Sequence, residues 1–194
     1  NSYYQKYSVE NGLENLLPTQ ASVAQIGDYY YPTLAAAVEA AQPNETIKLI
    51  NNAKGNGIVI NKSLTIDFAG FAYTFVEQGV GDTQYKSNGF QIKKDNDVTL
   101  KNGTLNVAEE WKEKFYILIQ NYSNLTVENM KLDGTNLDMW STSDGDSYVI
   151  SNNSGNVNIT GNTTIIANDN SSVTPSKAFA FDACDQTSKG YALP

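Results

Sequence analysis

The sequence predicts an all-β fold, a right-handed, single-stranded parallel β-helix of about four to five turns with three strands in each turn. A triplet of apolar, polar and apolar residues occurs four times, ending at Ile66, Leu100, Val127 and Ile159, so successive copies lie 34, 27 and 32 residues apart. Each triplet has a second apolar run before it and a third after it. Short stretches rich in Asn, Gly, Ser and Asp separate the runs, as turns separate strands.

The N-terminal region precedes this repeat. Residues 1–22 are polar and irregular, and we expect them to form a linker or a strap ahead of a β-helix domain at 23–194. A short strand is predicted over residues 21–26, and the turn signal Gly27-Asp28 ends it.

A short α-helix is predicted near residues 33–42, with Thr33 as its N-cap and Pro43 just beyond its end. Four apolar residues at helical spacing form one stripe along it: Leu34, Ala37, Val38 and Ala41. The first turn of a solenoid exposes the end of its core, so the chain needs an atypical element to cover it. We expect this helix to be that cap.

The apolar runs on either side of the triplets supply the other two strands of each turn. The runs before the triplets are Ile58-Val59-Ile60, Phe90-Gln91-Ile92, residues 116–119 and Tyr148-Val149-Ile150. Residues 178–181 begin a fifth turn, which would continue beyond residue 194. The runs after the triplets are residues 71–75, residues 105–107, Leu132 and Ile165-Ile166. Asn102 and Asn129 occupy equivalent turns. Their side-chain amides form an internal ladder, or asparagine occurs there only because it tolerates a left-handed backbone conformation.

Composition excludes several kinds of function. The net charge of −8 and the pI near 4.5 disfavour nucleic acids and anionic membrane surfaces as partners. No run approaches the roughly 18 to 20 apolar residues of a membrane-spanning helix, so no membrane insertion is expected. The chain has no histidine and no arginine, which removes imidazole catalysis and guanidinium clamps. Cys184 is the one cysteine, so no internal disulfide forms.

Four motifs near the start of the chain carry a resemblance to known proteins. They are Ile26-Gly27-Asp28, Tyr31-Pro32-Thr33-Leu34, Ala37-Val38-Glu39-Ala40-Ala41 and Thr46-Ile47-Lys48-Leu49. With them, residues 23–50 resemble the N-terminal part of bacterial cell-surface, adhesin-like β-helix proteins of the pectin-lyase-like superfamily. Those proteins usually have Gly-Asp before the Thr-Ile strand, where this chain has Asn44-Glu45. The repeat extends the resemblance to about residue 181, and it implies the fold more than any one function.

The enzymes of that superfamily do not map onto this chain. The resemblance would imply calcium-binding carboxylates with an arginine base for a pectate lyase, or aspartates with histidine and arginine for a polygalacturonase. Both sets need residue types that are absent here. Lys93, Lys94 or Lys101 would be the alternative base, although lysines on outward strand positions are usually solvated. We therefore predict no catalytic residues.

The long connections after each third strand are the predicted binding edge. They span residues 76–88, 108–114, 133–147 and 167–177, and they should project from one edge of the solenoid. Their aromatic residues Tyr85, Trp111 and Trp140 are candidates for stacking against sugar rings; the alternative is that they anchor the loops. Asp138, Asp144 and Asp146 are candidate calcium ligands; the alternative is ordinary solvated turn acids.

These observations favour a non-catalytic extracellular module of a bacterial surface protein. It would present a surface for adhesion or carbohydrate binding, with host or environmental glycans or surface proteins as partners and calcium as the candidate bound ion. The first alternative is a polysaccharide lyase or glycoside hydrolase acting on acidic polysaccharides. The second is a phage tailspike-like fragment, which would require a trimer.

Overall fold

The chain folds as a parallel β-helix, as the repeat predicts. The computed structural model describes residues 5–6, 22–81, 87–138, 146–168, 177–188, 190 and 192–194. The strands of each turn lie on three faces, which we call A, B and C in the order in which the chain passes through them. Side chains that alternate inward along these strands form one continuous apolar core.

Four elements precede the first turn of the solenoid. They are β1 (Gln5–Lys6), β2 (Ala24–Ile26), β3 (Tyr29–Tyr31) and the helix α1 (Leu34–Ala40). β2 confirms the predicted N-terminal strand, and the turn after it contains Gly27 with a φ of 54°. β3 was not predicted, and it pairs antiparallel with both β2 and β1. Because β1 lies within residues 1–22, part of the predicted linker is bound to the body of the protein.

Each face is a ladder of parallel strands, and β10 and β12 turn a corner so that each belongs to two faces. Face A contains β4 (Thr46–Leu49), β7 (Leu64–Asp67), the first halves of β10 (Asp97–Val107) and β12 (Asn124–Asp133), and β14 (Asn156–Thr160). Face B contains β5 (Ala53–Gly55), β8 (Ala72–Phe75), the second halves of β10 and β12, and β15 (Thr164–Ile166). Face C contains β6 (Ile58–Ile60), β9 (Asn88–Ile92), β11 (Ile117–Asn121), β13 (Ser147–Asn153) and β16 (Ala178–Cys184).

The register of face A confirms the predicted triplets. Ile66 pairs with Leu100, Leu100 with Val127, and Val127 with Ile159. The structure adds an earlier level, because Ile47 pairs with Ile66 from 19 residues before it. The first turn is therefore shorter than the later ones and has no long insertion.

Asn102 and Asn129 occupy their turns for conformational reasons. Their φ angles are 63° and 51°, in the left-handed region that asparagine tolerates. Asn102 Nδ2 donates to Asp67 Oδ1 at 3.1 Å, and Asn129 Oδ1 accepts from the backbone of Asn162 at 2.9 Å. Each side chain thus bonds to a neighbouring level, and the turn explanation is the correct one for this pair.

An internal amide ladder does exist, at the corner where face C passes into face A. Asn121 and Asn152 pair in register, and Asn121 Nδ2 donates to Asn152 Oδ1 at 2.9 Å. Asn121 is fully buried and also donates to the carbonyl of Ser123. A side chain at Gly155 would meet Asn121 Nδ2 at 2.6 Å, so this corner requires a glycine. A buried amide must be bonded in this way, since an unpaired one would cost about 1–3 kcal/mol.

The helix α1 caps the N-terminal end of the core, as predicted. Thr33 Oγ1 accepts from the backbone N–H of Ala36 at 3.0 Å, which makes it the N-cap. The predicted apolar stripe is buried: Leu34, Ala37, Val38 and Ala41. β2 also pairs antiparallel with β4 and so covers the free edge of the first level.

Candidate functional site

The long connections stack on one another at the corner between faces B and C, which we call the loop edge. Backbone hydrogen bonds join successive levels there, from Ala108 to Phe75 at 3.0 Å and from Asp138 to Phe115 at 2.8 Å. The side-chain amide of Asn136 donates to the carbonyl of Val107 at 2.9 Å. The described parts of the insertions therefore lie along one edge, as predicted.

Of the three predicted sugar-binding aromatic residues, the structure describes Trp111. It lies in the 3₁₀ helix Glu109–Lys114, is half-buried and packs against the hydrophobic core. That environment favours the alternative that it anchors its loop. Tyr85 and Trp140 fall outside the described residues.

Two of the three predicted calcium ligands are described, and Asp144 falls outside the described ranges. Asp138 and Asp146 are both half-buried at the loop edge. Asp146 Oδ2 accepts a hydrogen bond from the hydroxyl of Tyr148 at 2.8 Å, so one of its oxygens is already engaged. No group of three or more Asp, Glu, His or Cys side chains suited to a metal occurs in the part of the chain that the structure covers.

Beside these acids, aromatic residues from neighbouring levels lie next to one another in a group that was not predicted as a site. The rings of Tyr148 and Phe179 stack, with centroids 5.5 Å apart and planes 18° from parallel. The two residues pair in register on β13 and β16. On the level before, Tyr148 is in register with Ile117, and its backbone N–H bonds to the carbonyl of the preceding residue, Tyr116. We call Tyr116, Tyr148 and Phe179 the aromatic strip. Phe179 is 40% exposed, and because the rings are nearly parallel, Tyr148 covers only one of its faces.

Carboxylates surround this strip. Burial raises the pKa of Tyr116, and the negative charges of Asp138 and Glu113 raise it further because they oppose a phenolate. Asp146 holds the hydroxyl of Tyr148. The strip thus combines uncharged hydroxyls, an exposed ring and hydrogen-bond acceptors, which are groups that bind polar ligands with an apolar face.

The three lysines that were the alternative candidates for a proton-abstracting base lie away from the strip. Lys93 and Lys94 lie at the corner between faces C and A, and Lys101 lies near the corner between faces A and B. None of these three lysines is at the loop edge, so they do not converge with its acids. The arrangement can bind a ligand through stacking and hydrogen bonds.

A separate groove of about 470 Å³ lies at the first turn, between the start of α1 and the turn after β8. Its lining includes Lys54, Tyr73 and Glu77. Tyr73 is buried, its hydroxyl donates to the carbonyl of Asn56 at 2.9 Å, and burial raises its pKa above the ordinary range. The tyrosine is therefore a packed structural residue, and the groove has no poised reacting group.

Comparison with known proteins adds no further constraint. No protein-family model, curated protein or solved structure matches this chain. No helix among the described segments is long and apolar enough to cross a membrane. The aromatic strip and its carboxylates are therefore the basis on which a function is proposed.

Proposed function

We propose that the protein is a non-catalytic carbohydrate-binding module of an extracellular bacterial surface protein. The observation that carries this proposal is the stacked pair Tyr148 and Phe179, which ends in an exposed ring beside the Asp146 carboxylate. A sugar ring placed on the uncovered face of Phe179 continues the stack, with its apolar C–H face against the π surface. Its hydroxyls then donate to carboxylate oxygens at the loop edge.

The charges narrow the class of glycan. The whole chain has a net charge of −8. Acids also outnumber lysines in the described residues near the strip: Glu109, Glu110, Glu113, Asp138 and Asp146, against Lys112, Lys114 and Lys177. A polyuronate would meet like charges on approach, whereas a neutral glycan would not. We therefore propose neutral glycans, or glycans with amino sugars, as the ligands. The same reasoning opposes the alternative of a lyase acting on acidic polysaccharides.

A glycan array followed by titration calorimetry tests the proposal. We expect at least one neutral or amino-sugar glycan to bind, and Phe179→Ala to weaken binding about two- to twelvefold, since a stacking contact contributes about 0.5–1.5 kcal/mol. Phe181→Ala is the matched control, because it has the same residue type on the same strand with a similar exposure of 42%. Phe181 pairs with the buried Ile150 and so belongs to a core position.

Two results would contradict the proposal. One is an array on which no glycan binds. The other is an equal loss of affinity in Phe179→Ala and Phe181→Ala, which would indicate a general effect on β16. Incubation with uronic-acid polymers and calcium provides the test for the lyase alternative, since we expect no unsaturated product.

A further inference from the structure

The residues after the last strand turn back along the solenoid. β16 is the fifth strand of face C and, among the described strands, it pairs with β13 alone. Ten residues after β16, the carbonyl of Pro194 accepts a hydrogen bond from the backbone N–H of Lys94 at 3.0 Å. Lys94 follows β9, which is the second strand of the same face. The chain between Cys184 and Pro194 therefore passes back across three levels, at the corner between faces C and A.

The distances allow this path. Neighbouring strands lie about 4.8 Å apart, so three levels span about 14 Å. Ten extended residues reach about 33 Å, which leaves room for turns. One turn is closed by a hydrogen bond from the N–H of Gly190 to the carbonyl of Thr187 at 3.0 Å, and Gly190 has a φ of 80°. Beyond it, Leu193 and Pro194 are half-buried, as a segment that rests on the body of the protein should be.

This segment is attached to the solenoid at both of its ends. We call residues 185–194 the latch, of which the structure describes 185–188, 190 and 192–194. Beside β16, the hydroxyl of Ser154 donates to Asp185 and accepts from the backbone N–H groups of Gln186 and Thr187, at 2.7 and 3.2 Å. Ser154 directly follows β13, so these bonds join the latch to the fourth level. The bond between Lys94 and Pro194 joins its other end to the second level.

The two attachments determine how β16 can leave the solenoid. A strand that pairs on one side is the place where local opening of a stacked repeat begins. Asp185 directly follows the last residue of β16, so the strand cannot separate from β13 at this corner until the latch leaves Ser154. We propose that β16 and the latch form one opening unit, which detaches from the solenoid while the earlier levels stay folded.

Opening of this unit changes the aromatic strip at the other end of the same strand. Phe179 lies on β16, and its ring stacks on that of Tyr148. When the unit opens, Phe179 leaves the strip and the covered face of Tyr148 becomes exposed. The latch therefore controls whether the strip has its outer ring. This consequence rests on the proposed function, whereas the opening itself does not.

Native-state hydrogen exchange of the whole chain, followed by NMR, tests the proposal. We expect the amides of β16 and of the latch to share one protection factor, lower than that of β11, which is paired on both sides. Ser154→Ala removes the hydroxyl that holds the latch, and we expect exchange in β16 and the latch to become at least about threefold faster. Ser63→Ala is the matched control. Ser63 lies at the same corner of the first turn, where its hydroxyl accepts from the backbone N–H of Asp97 at 2.9 Å, so we expect no change in β16.

A covalent lock distinguishes one opening unit from independent fraying. Lys94→Cys and Pro194→Cys, combined in a Cys184→Ala background, place two thiols within reach of a short bis-maleimide, because the backbone N and O atoms of these positions are 3.0 Å apart. The cross-link closes the far end of the latch without contacting β16. We expect the amides of β16 to exchange at least about tenfold more slowly than in the same variant with both thiols capped singly.

Three results would overturn the proposal. The first is different protection factors for β16 and the latch. The second is an effect of Ser154→Ala on β16 that is no larger than that of Ser63→Ala. The third is unchanged exchange of β16 in the cross-linked protein. Failure of the proposed function has a different signature, since a protein that binds no glycan can still show the expected exchange.

Discussion

At each end of this solenoid the apolar core meets water unless another element covers it. In the described chain, only the N-terminal end has such an element. At the N-terminal end, α1 and the antiparallel strand β2 cover the first level. At the C-terminal end, Ile159 and Phe181 occupy core positions and remain more than 40% exposed. The repeat itself therefore cannot close the core. Closing it takes residues that depart from the repeat, and in the described chain these lie at the N-terminal end.

The largest expected effect of this difference is at the N-terminal cap. Leu34 is 1% exposed and belongs to the main hydrophobic cluster. We expect Leu34→Ala to lower the free energy of unfolding by about 2–5 kcal/mol, because it removes buried apolar surface and leaves a cavity. Urea unfolding followed by circular dichroism measures this change. Thr33→Ser, which keeps the capping hydroxyl, is a control that should have little effect.

The corresponding truncation at the open end should cost far less. Ile159→Ala removes a side chain that is 44% exposed, so we expect a loss of about 1 kcal/mol. The measurement is the same urea titration. If Ile159→Ala were as destabilising as Leu34→Ala, Ile159 would be buried in the folded chain and the contrast between the two ends would be wrong.

The success of the sequence in predicting the fold has a physical origin. Inward side chains must match from level to level, so the triplets ending at Ile66, Leu100 and Val127 recur visibly in the sequence. The stripe of α1 and its Thr33 cap are equally local signals. The strand that contains Ile47 was not recognised as a level of the repeat, because Ile47 precedes Ile66 by only 19 residues, a spacing unlike those of the later copies.

The candidate site was harder to predict because its residues meet only through register. Tyr148 and Phe179 become neighbours across a long insertion of irregular length, and only the pairing of β13 with β16 aligns them. The Asn121 and Asn152 ladder is hidden for the same reason. Trp111 was a candidate for stacking against sugar rings because it lies in a predicted loop, yet its side chain packs against the hydrophobic core. The available signal was an aromatic residue at the second position of two successive face C strands, Tyr148 in β13 and Phe179 in β16.

Polar hydrogen bonds, and not an apolar cap, connect the turn after the last strand to the level before it. After β16, Asp185 Oδ1 accepts hydrogen bonds from the Thr187 hydroxyl at 2.8 Å and the Ser188 N–H at 3.1 Å. The hydroxyl of Ser154, at the end of the preceding level, donates to the same oxygen at 3.2 Å. These bonds favour the ionised carboxylate, with that from Thr187 contributing most, and lower the pKa of Asp185 to about 2.

The smallest expected effect is therefore a local response of this end to acid. Because the folded state lowers the pKa of Asp185 from 3.8 to about 2, its contribution to stability is complete above about pH 4 and is lost as the pH falls toward 2. We expect the carboxyl carbon of Asp185 and the amide proton of Ser188 to titrate together in NMR spectra, with a midpoint near 2. In Asp185→Asn the Ser188 amide should not titrate in this range, since no proton is gained there. A Ser188 midpoint near 3.8 in the wild type would mean that the turn does not hold the carboxylate, and that the open end lacks this polar closure.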